Sequence, residues 1–233
     1  MPGFELPMLP QPNDETCGAT CLHALYRYYG EVQDLTALIE EVQTLDTGGT
    51  LAVILGIHAL KKGYDAHIYT YNLHVFDPTW FRDDVNLLEK LRQQAAVKEN
   101  PKLQWATRAY LEFLELGGEI HYEELDEHLL RTFFDRNVPL LTGLNATYLY
   151  GTPREFGNEY DDIRGTSSGH FVVLYGYDKH TQQVLIADPL LTNPISGSNQ
   201  YSVSIDKLIN SIMLGIVTYD ANFLVIEKGD KWR

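Results

Sequence analysis

The chain is short of sulfur and of positive charge: its 233 residues include 2 Cys and 3 Met, and 18 Lys and Arg stand against 32 Asp and Glu. Each shortage excludes something. A formal charge of −14 works against nucleic acid or an anionic membrane surface as partner and favours neutral or basic substrates. Cys17 and Cys21 are spaced one helical turn apart, so their side chains run parallel instead of converging. They form no disulfide framework, and a reducing, cytoplasmic setting is expected. No apolar run approaches the ~18 residues of a membrane span, and residues 1–10 lack the basic and apolar regions of a signal peptide. There is no His-Glu-x-x-His or Cys-x-x-Cys, and His121 and His128 have no partner at metal-ligand spacing. Neither a metal nor an organic cofactor is therefore implied.

What is present is centred on residues 11–22, Gln-Pro-Asn-Asp-Glu-Thr-Cys-Gly-Ala-Thr-Cys-Leu. Pro12 and Asn13-Asp14 read as loop, whereas Ala19, Leu22, Leu25, Tyr26 and Tyr29 fall at helical spacing with Gly30 at the C-cap. Cys17 thus sits in a first helical turn, where unpaired N–H groups and the macrodipole favour thiolate over thiol. Gln11 can bring an amide donor beside it, as a developing oxyanion requires. Cys21, one turn further on, reads as core.

Length and an ordinary globular composition suit one domain over 1–233 with an elaboration. Residues 34–45 read as a short amphipathic helix closed by a turn at 46–50, and Thr50 as the cap of a third helix through Lys62, stopped by Gly63. His58, on that helix, reads as a satisfied boundary residue. Residues 64–71 alternate like a strand. Charged, helix-favouring sequence follows, with helices at 84–97 and 103–116 split at Asn100-Pro101; the segment 76–119 is a candidate helical insertion, either a lid or a layer packed on the core. A short strand at 119–122, a helix at 122–136 and a buried strand at 138–144 precede the longest irregular stretch, 151–169. Residues 199–204 are expected extended, 206–214 helical and 221–227 a last strand.

A thiolate nucleophile needs an imidazole, and the imidazole needs an orienter. Residues 170–177 and 183–188 read as a hairpin ended by Asp188-Pro189. With the turn centred on His180, residue 172 faces 188, and His170 and Asp188 become diagonal neighbours within about 7–8 Å. A register of odd parity would put them on opposite faces. Asp178 lies about 26 Å along the strand from His170 at roughly 3.3 Å per residue and cannot orient it. His180 falls at the hairpin tip, and Asn145 remains an alternative orienter.

These residues resemble those of the papain-like cysteine peptidases, and more closely the bacterial bacteriocin-processing (double-glycine) peptidases and their stand-alone relatives. The resemblance rests on residues 11–25 with Gln-x5-Cys-Gly-Ala, 48–63 with Gly-Thr-Leu leading a helix, and 169–189 with Gly-His-Phe-Val-Val-Leu-Tyr-Gly-Tyr-Asp and Ala-Asp-Pro. It implies an α+β fold: a helical half carrying Cys17 packed on an antiparallel sheet carrying His170 and Asp188. It also implies Cys17 as nucleophile, His170 as base and acid, Asp188 as orienter, and Gln11 with the Cys17 N–H as oxyanion hole. The expected function is hydrolysis of a peptide or amide bond in a peptide or protein substrate. An acyl transferase or ligase using the same acyl-enzyme, and a non-catalytic peptide-binding domain, are the alternatives.

Overall fold

Strand β9 (Asn222–Lys228) carries Phe223, Leu224, Val225 and Ile226 in succession, a run that suits burial on both faces. In the computed structural model, which describes residues 4–44, 49–157 and 159–229, this C-terminal strand lies well inside the main sheet. The helices are α1 (Cys17–Tyr28), α2 (Leu35–Glu41), α3 (Ala52–Lys62), α4 (Leu87–Val97), α5 (Pro101–Glu115), α6 (Glu127–Phe134), α7 (Ala146–Tyr150) and α8 (Ile205–Leu214). The other strands are β1 (Tyr64–Thr70), β2 (Glu119–His121), β3 (Leu140–Asn145), β4 (Glu155–Phe156), β5 (Glu159–Tyr160), β6 (Gly169–Asp178), β7 (Gln183–Ala187) and β8 (Gln200–Ser204). Among the described residues, seven strands form one sheet in the order β2-β1-β9-β3-β6-β7-β8, and β4 and β5 form a separate hairpin. The main sheet is antiparallel except where β2 joins β1 in parallel.

Alternation along the strands sends side chains into two cores. Phe171, Val173, Leu224 and Ile226 pack with α1, α3 and α5 on one face. Val172, Leu174, Phe223 and Val225 pack with α6 and α8 on the other. The result is helix, sheet, helix, an α+β arrangement. The segment 76–119 contributes Phe76, Leu91, Leu103, Tyr110 and Phe113 to the same core as α1 and α3. Helix α5 approaches α3 at Gly56, where a Cβ would lie 2.7 Å from the Phe113 ring.

Several local expectations are corrected. Thr50 does not cap α3; its hydroxyl donates to the Gln43 carbonyl (3.0 Å), while the Asp220 carboxylate, arriving from the far end of the chain, accepts the Ala52 N–H. Burial pushes Asp220 up to about 7 against the pull of Lys102 and that hydrogen bond. Helix α6 starts at Glu127, later than periodicity suggests, because the Asp126 side chain accepts the Leu129 N–H (2.8 Å) and fixes the boundary there. Stretch 151–169 contains the β4–β5 hairpin and a bridge from Glu155 to Thr166. The turn at 46–50 falls largely on residues 45–48, outside the described residues. His58 is satisfied at both nitrogens, by the Tyr26 hydroxyl (2.8 Å) and Glu41 (3.0 Å).

Because Phe113 is fully buried between α3 and α5, Phe113→Ala should lower the unfolding free energy by about 3–5 kcal/mol. Urea unfolding followed by the tryptophan fluorescence of a Trp232→Phe background, which then reports on Trp80 and Trp105, should coincide with that followed by circular dichroism. Two separate transitions would mean that the helical pair detaches as an independent lid.

Candidate active site

The loop before α1 is shaped by Asn13, whose side chain accepts the Glu15 N–H (3.0 Å) and whose carbonyl accepts the Thr16 hydroxyl (3.0 Å). This turn delivers Cys17 as the first residue of α1, whose N-cap Thr16 makes no side-chain cap. Gly18 lets that first turn approach the sheet: a Cβ there would stand 2.7 Å from Thr50 and 3.2 Å from the Phe171 ring. Cys21, on the same helix, is fully buried and its thiol donates to the Phe171 carbonyl (3.2 Å). Burial, then the charges of Cys17 and Asp188, push the Cys21 thiol well up, which suits the core role read from its position.

His170 enters β6 next to Gly169, opposite Leu144 of β3. Its Nε2–H donates to Asp188 Oδ1 (2.9 Å), and a second side-chain hydrogen bond joins the ring to Cys17. With Nε2 committed to the carboxylate, Nδ1 is the nitrogen left for the thiol. Burial works to lower the His170 pKa, but the hydrogen bonds and charges of Asp188 and Cys17 outweigh it and raise it to about 10.

A β-bulge makes this pairing possible. At the hairpin tip Asp178 pairs with Gln183 and Gly176 with Leu185; past Tyr175 the register slips, and Leu174 pairs with Ile186 and Val173 with Ala187. Continued one step, the shifted register sets Val172 opposite Asp188, so His170 and Asp188 share a face. The tip register carried through unshifted would have set Val173 opposite Asp188 and turned His170 away.

Asp188 is inaccessible to solvent, and its carboxylate is filled with donors. Oδ1 accepts from His170 and from the Leu190 N–H (2.8 Å); Oδ2 accepts from the hydroxyls of Tyr150 (2.8 Å) and Tyr201 (2.7 Å). Burial works to raise its pKa, and the His170 bond and charge, the Tyr201 hydroxyl and the Leu190 N–H hold it below the ordinary carboxylate value. Both phenols are pushed up, chiefly by burial and then by the Asp188 charge. Tyr150 and Tyr201 are absent from the sequence reading. The residues following Asp-Pro, with a polar tyrosine on the neighbouring strand, were the signal that could have found one of them.

Gln11 is tied to the same corner, its backbone N–H donating to the Pro189 carbonyl (2.9 Å). Its side-chain oxygen is buried and has no partner among the described residues. Gln11 and His170 line a cleft of about 400 Å³ whose wall also includes Asp14, Glu155 and Tyr160. Asn145, the alternative orienter, caps α7 by accepting the Tyr148 N–H (2.9 Å). Asp178 accepts the His180 N–H at the exposed hairpin tip.

The signs of the two pKa shifts set a pH profile for stability. His170 is raised, so its contribution is complete below 6.5 and is lost as pH rises towards about 10. Asp188 is lowered, so its contribution is complete above 3.8 and is lost as pH falls through its lower folded value. The stability advantage of wild type over His170→Ala should therefore be greatest between these limits and shrink towards pH 10, as read from urea midpoints. Tyr201→Phe, which removes one donor from the buried carboxylate, should cost about 1.5–3 kcal/mol.

No curated protein sequence matches the chain. Among solved structures, a protein from Bacillus anthracis described as a C39-like peptidase aligns at 17% identity over 96% of this chain and 95% of its own, with a TM-score of 0.49. A double-glycine-motif protease from an AMS/PCAT transporter, solved with its leader peptide, aligns at 14% identity over 97% and 94%, with a TM-score of 0.46. The peptidase domain of Streptococcus ComA aligns at 13% identity over 95% and 98%, also with a TM-score of 0.46. The family model of the Peptidase_C39 like family matches residues 107–210. That stretch of similarity includes His170, Asp188, Tyr150 and Tyr201.

Proposed function

We propose that this chain hydrolyses peptide or amide bonds with Cys17 as nucleophile, His170 as general base and acid, Asp188 as orienter and Gln11 as oxyanion donor. One observation carries the reading: a single imidazole is bonded on one side to a buried carboxylate and on the other to a thiol at a helix N-terminus. Nδ1 already holds the proton of the Cys17 thiol, so Sγ attacks the carbonyl carbon as a thiolate. The oxyanion is met by the Gln11 amide and the Cys17 N–H. Nδ1 then returns the proton to the departing amine as the C–N bond breaks, leaving a thioester. Water, deprotonated by His170, attacks the thioester; the acid leaves and Sγ is restored.

The cleft points to a class of substrate. Asp14 and Glu155 give it acidic walls, and Phe156, Tyr160 and Ile163 of the neighbouring loop are exposed. A peptide with basic or neutral side chains facing these walls and an apolar side chain near the cleaved bond meets both features. No helix of the described residues is long and apolar enough to cross a membrane.

Turnover should be sought by mass spectrometry with a mixture of unfolded proteins and peptides. Cys17→Ala and His170→Ala should abolish cleavage, and Gln11→Ala should lower kcat by about 100- to 1,000-fold with the fold intact by circular dichroism. An active Cys17→Ala protein would sink the proposal.

A further inference from the structure

At the opposite end of the sheet, the pairing of β1 with β2 places His67 beside Glu119 and Tyr69 beside His121. Glu119 and His121 are two apart on β2 and so project from the same face. Their polar atoms converge with that of His67. His67 Nδ1 lies 3.3 Å from His121 Nε2 and 3.3 Å from Glu119 Oε2, and His121 Nε2 lies 3.4 Å from the same oxygen. The three atoms form a nearly equilateral triangle.

The size of that triangle fits a tetrahedral metal ion. Zinc binds imidazole nitrogen and carboxylate oxygen at about 2.0–2.2 Å, and two ligands of a tetrahedron with such bonds are about 3.3–3.5 Å apart. The neighbouring ligands of an octahedral ion at the same bond length would be closer, at about 2.9 Å. Two imidazoles and one carboxylate are also the donors of a borderline transition metal, whereas calcium and magnesium take oxygen. Ring orientation is fixed from behind: His121 stacks on Tyr69 (4.6 Å, 20°), which stacks on Phe223 (4.7 Å, 6°).

We infer that His67, Glu119 and His121 form a zinc-class metal site with three protein ligands and a fourth position open to water. The side chains are partly exposed, at 30%, 62% and 28%, which gives an ion a path in. The site stands apart from the cleft, since β2 lies four strands from β6, or about 19 Å at ~4.8 Å per strand. Its place in the fold gives it a structural role. β2 is three residues long, sits on the sheet edge and ends the excursion through α4 and α5. An ion would clamp that return strand to β1.

Metal-depleted Cys17→Ala protein, which removes the competing thiol beside His170, should be titrated with Zn²⁺ by calorimetry and with Co²⁺ by visible absorption. One ion per chain and an intense, tetrahedral Co²⁺ spectrum are expected. Saturation about 100-fold above Kd should raise Tm by about 5–10 °C. Glu119→Gln and His121→Asn, each added to that background, should weaken binding by about tenfold or more and remove the zinc-dependent shift. Their Tm values in chelator, matched to the parent, show that they fold. Unchanged affinity in both variants, or the absence of a Co²⁺ spectrum, would overturn the inference. Neither result bears on the peptidase reading, because the protein tested lacks Cys17.

Discussion

Asp188 carries its charge with no exposed surface, and the C-terminal half of the fold is arranged to make that tolerable. A carboxylate taken out of water costs several kcal/mol unless its lone pairs are met. Here four donors meet them: the His170 ring, the Leu190 N–H, and the hydroxyls of Tyr150 and Tyr201. These donors come from β6, the turn after Asp188, α7 and β8, so the carboxylate ties four separate pieces of chain together. The N-terminal segment joins the same corner through Gln11 on the Pro189 carbonyl and Met8 on Asn199. A group that orients an imidazole is therefore also a structural centre, and the two roles cannot be separated by mutation at Asp188 alone.

How far this was legible from sequence depends on the range of the interaction. The start of α1 at Cys17 and the buried stripe behind it follow from periodicity and a preceding loop. The His170–Asp188 pair follows from strand parity, and that parity is set by two offsets that compensate. The hairpin turn is centred half a residue from where His180 places it, and the bulge at Tyr175 restores the parity that brings the two residues to one face. Gly176, an isolated glycine within a strand, was the local sign of that bulge. Tyr150, Tyr201 and Asp220 were not legible, because each acts on a partner brought near by tertiary packing. The same is true of His67 and His121, far apart in sequence and adjacent only once β2 pairs with β1.

Of the two readings of the helical segment 76–119, a lid or a layer packed on the core, the packing fits the second: Leu103, Tyr110 and Phe113 of α5 lie in the core that backs α1. Helix α3, packed between that layer and the sheet, has its N-terminus met by Asp220, whose carboxylate also lies against Gly143 of β3. The position of Cys17 is thereby supported by both layers. Gly18 sets the approach of α1 to β6.

The central claim is that Cys17, His170 and Asp188 act on one another as a single assembly. Nitrogen-15 NMR of the histidine rings across pH tests it most directly. The account predicts that His170 keeps both ring protons well above pH 6.5, titrating at about 10, and that Cys17→Ala lowers that value in an otherwise folded protein. A His170 ring that titrates near 6.5, or one that is indifferent to removal of the Cys17 thiol, would contradict it.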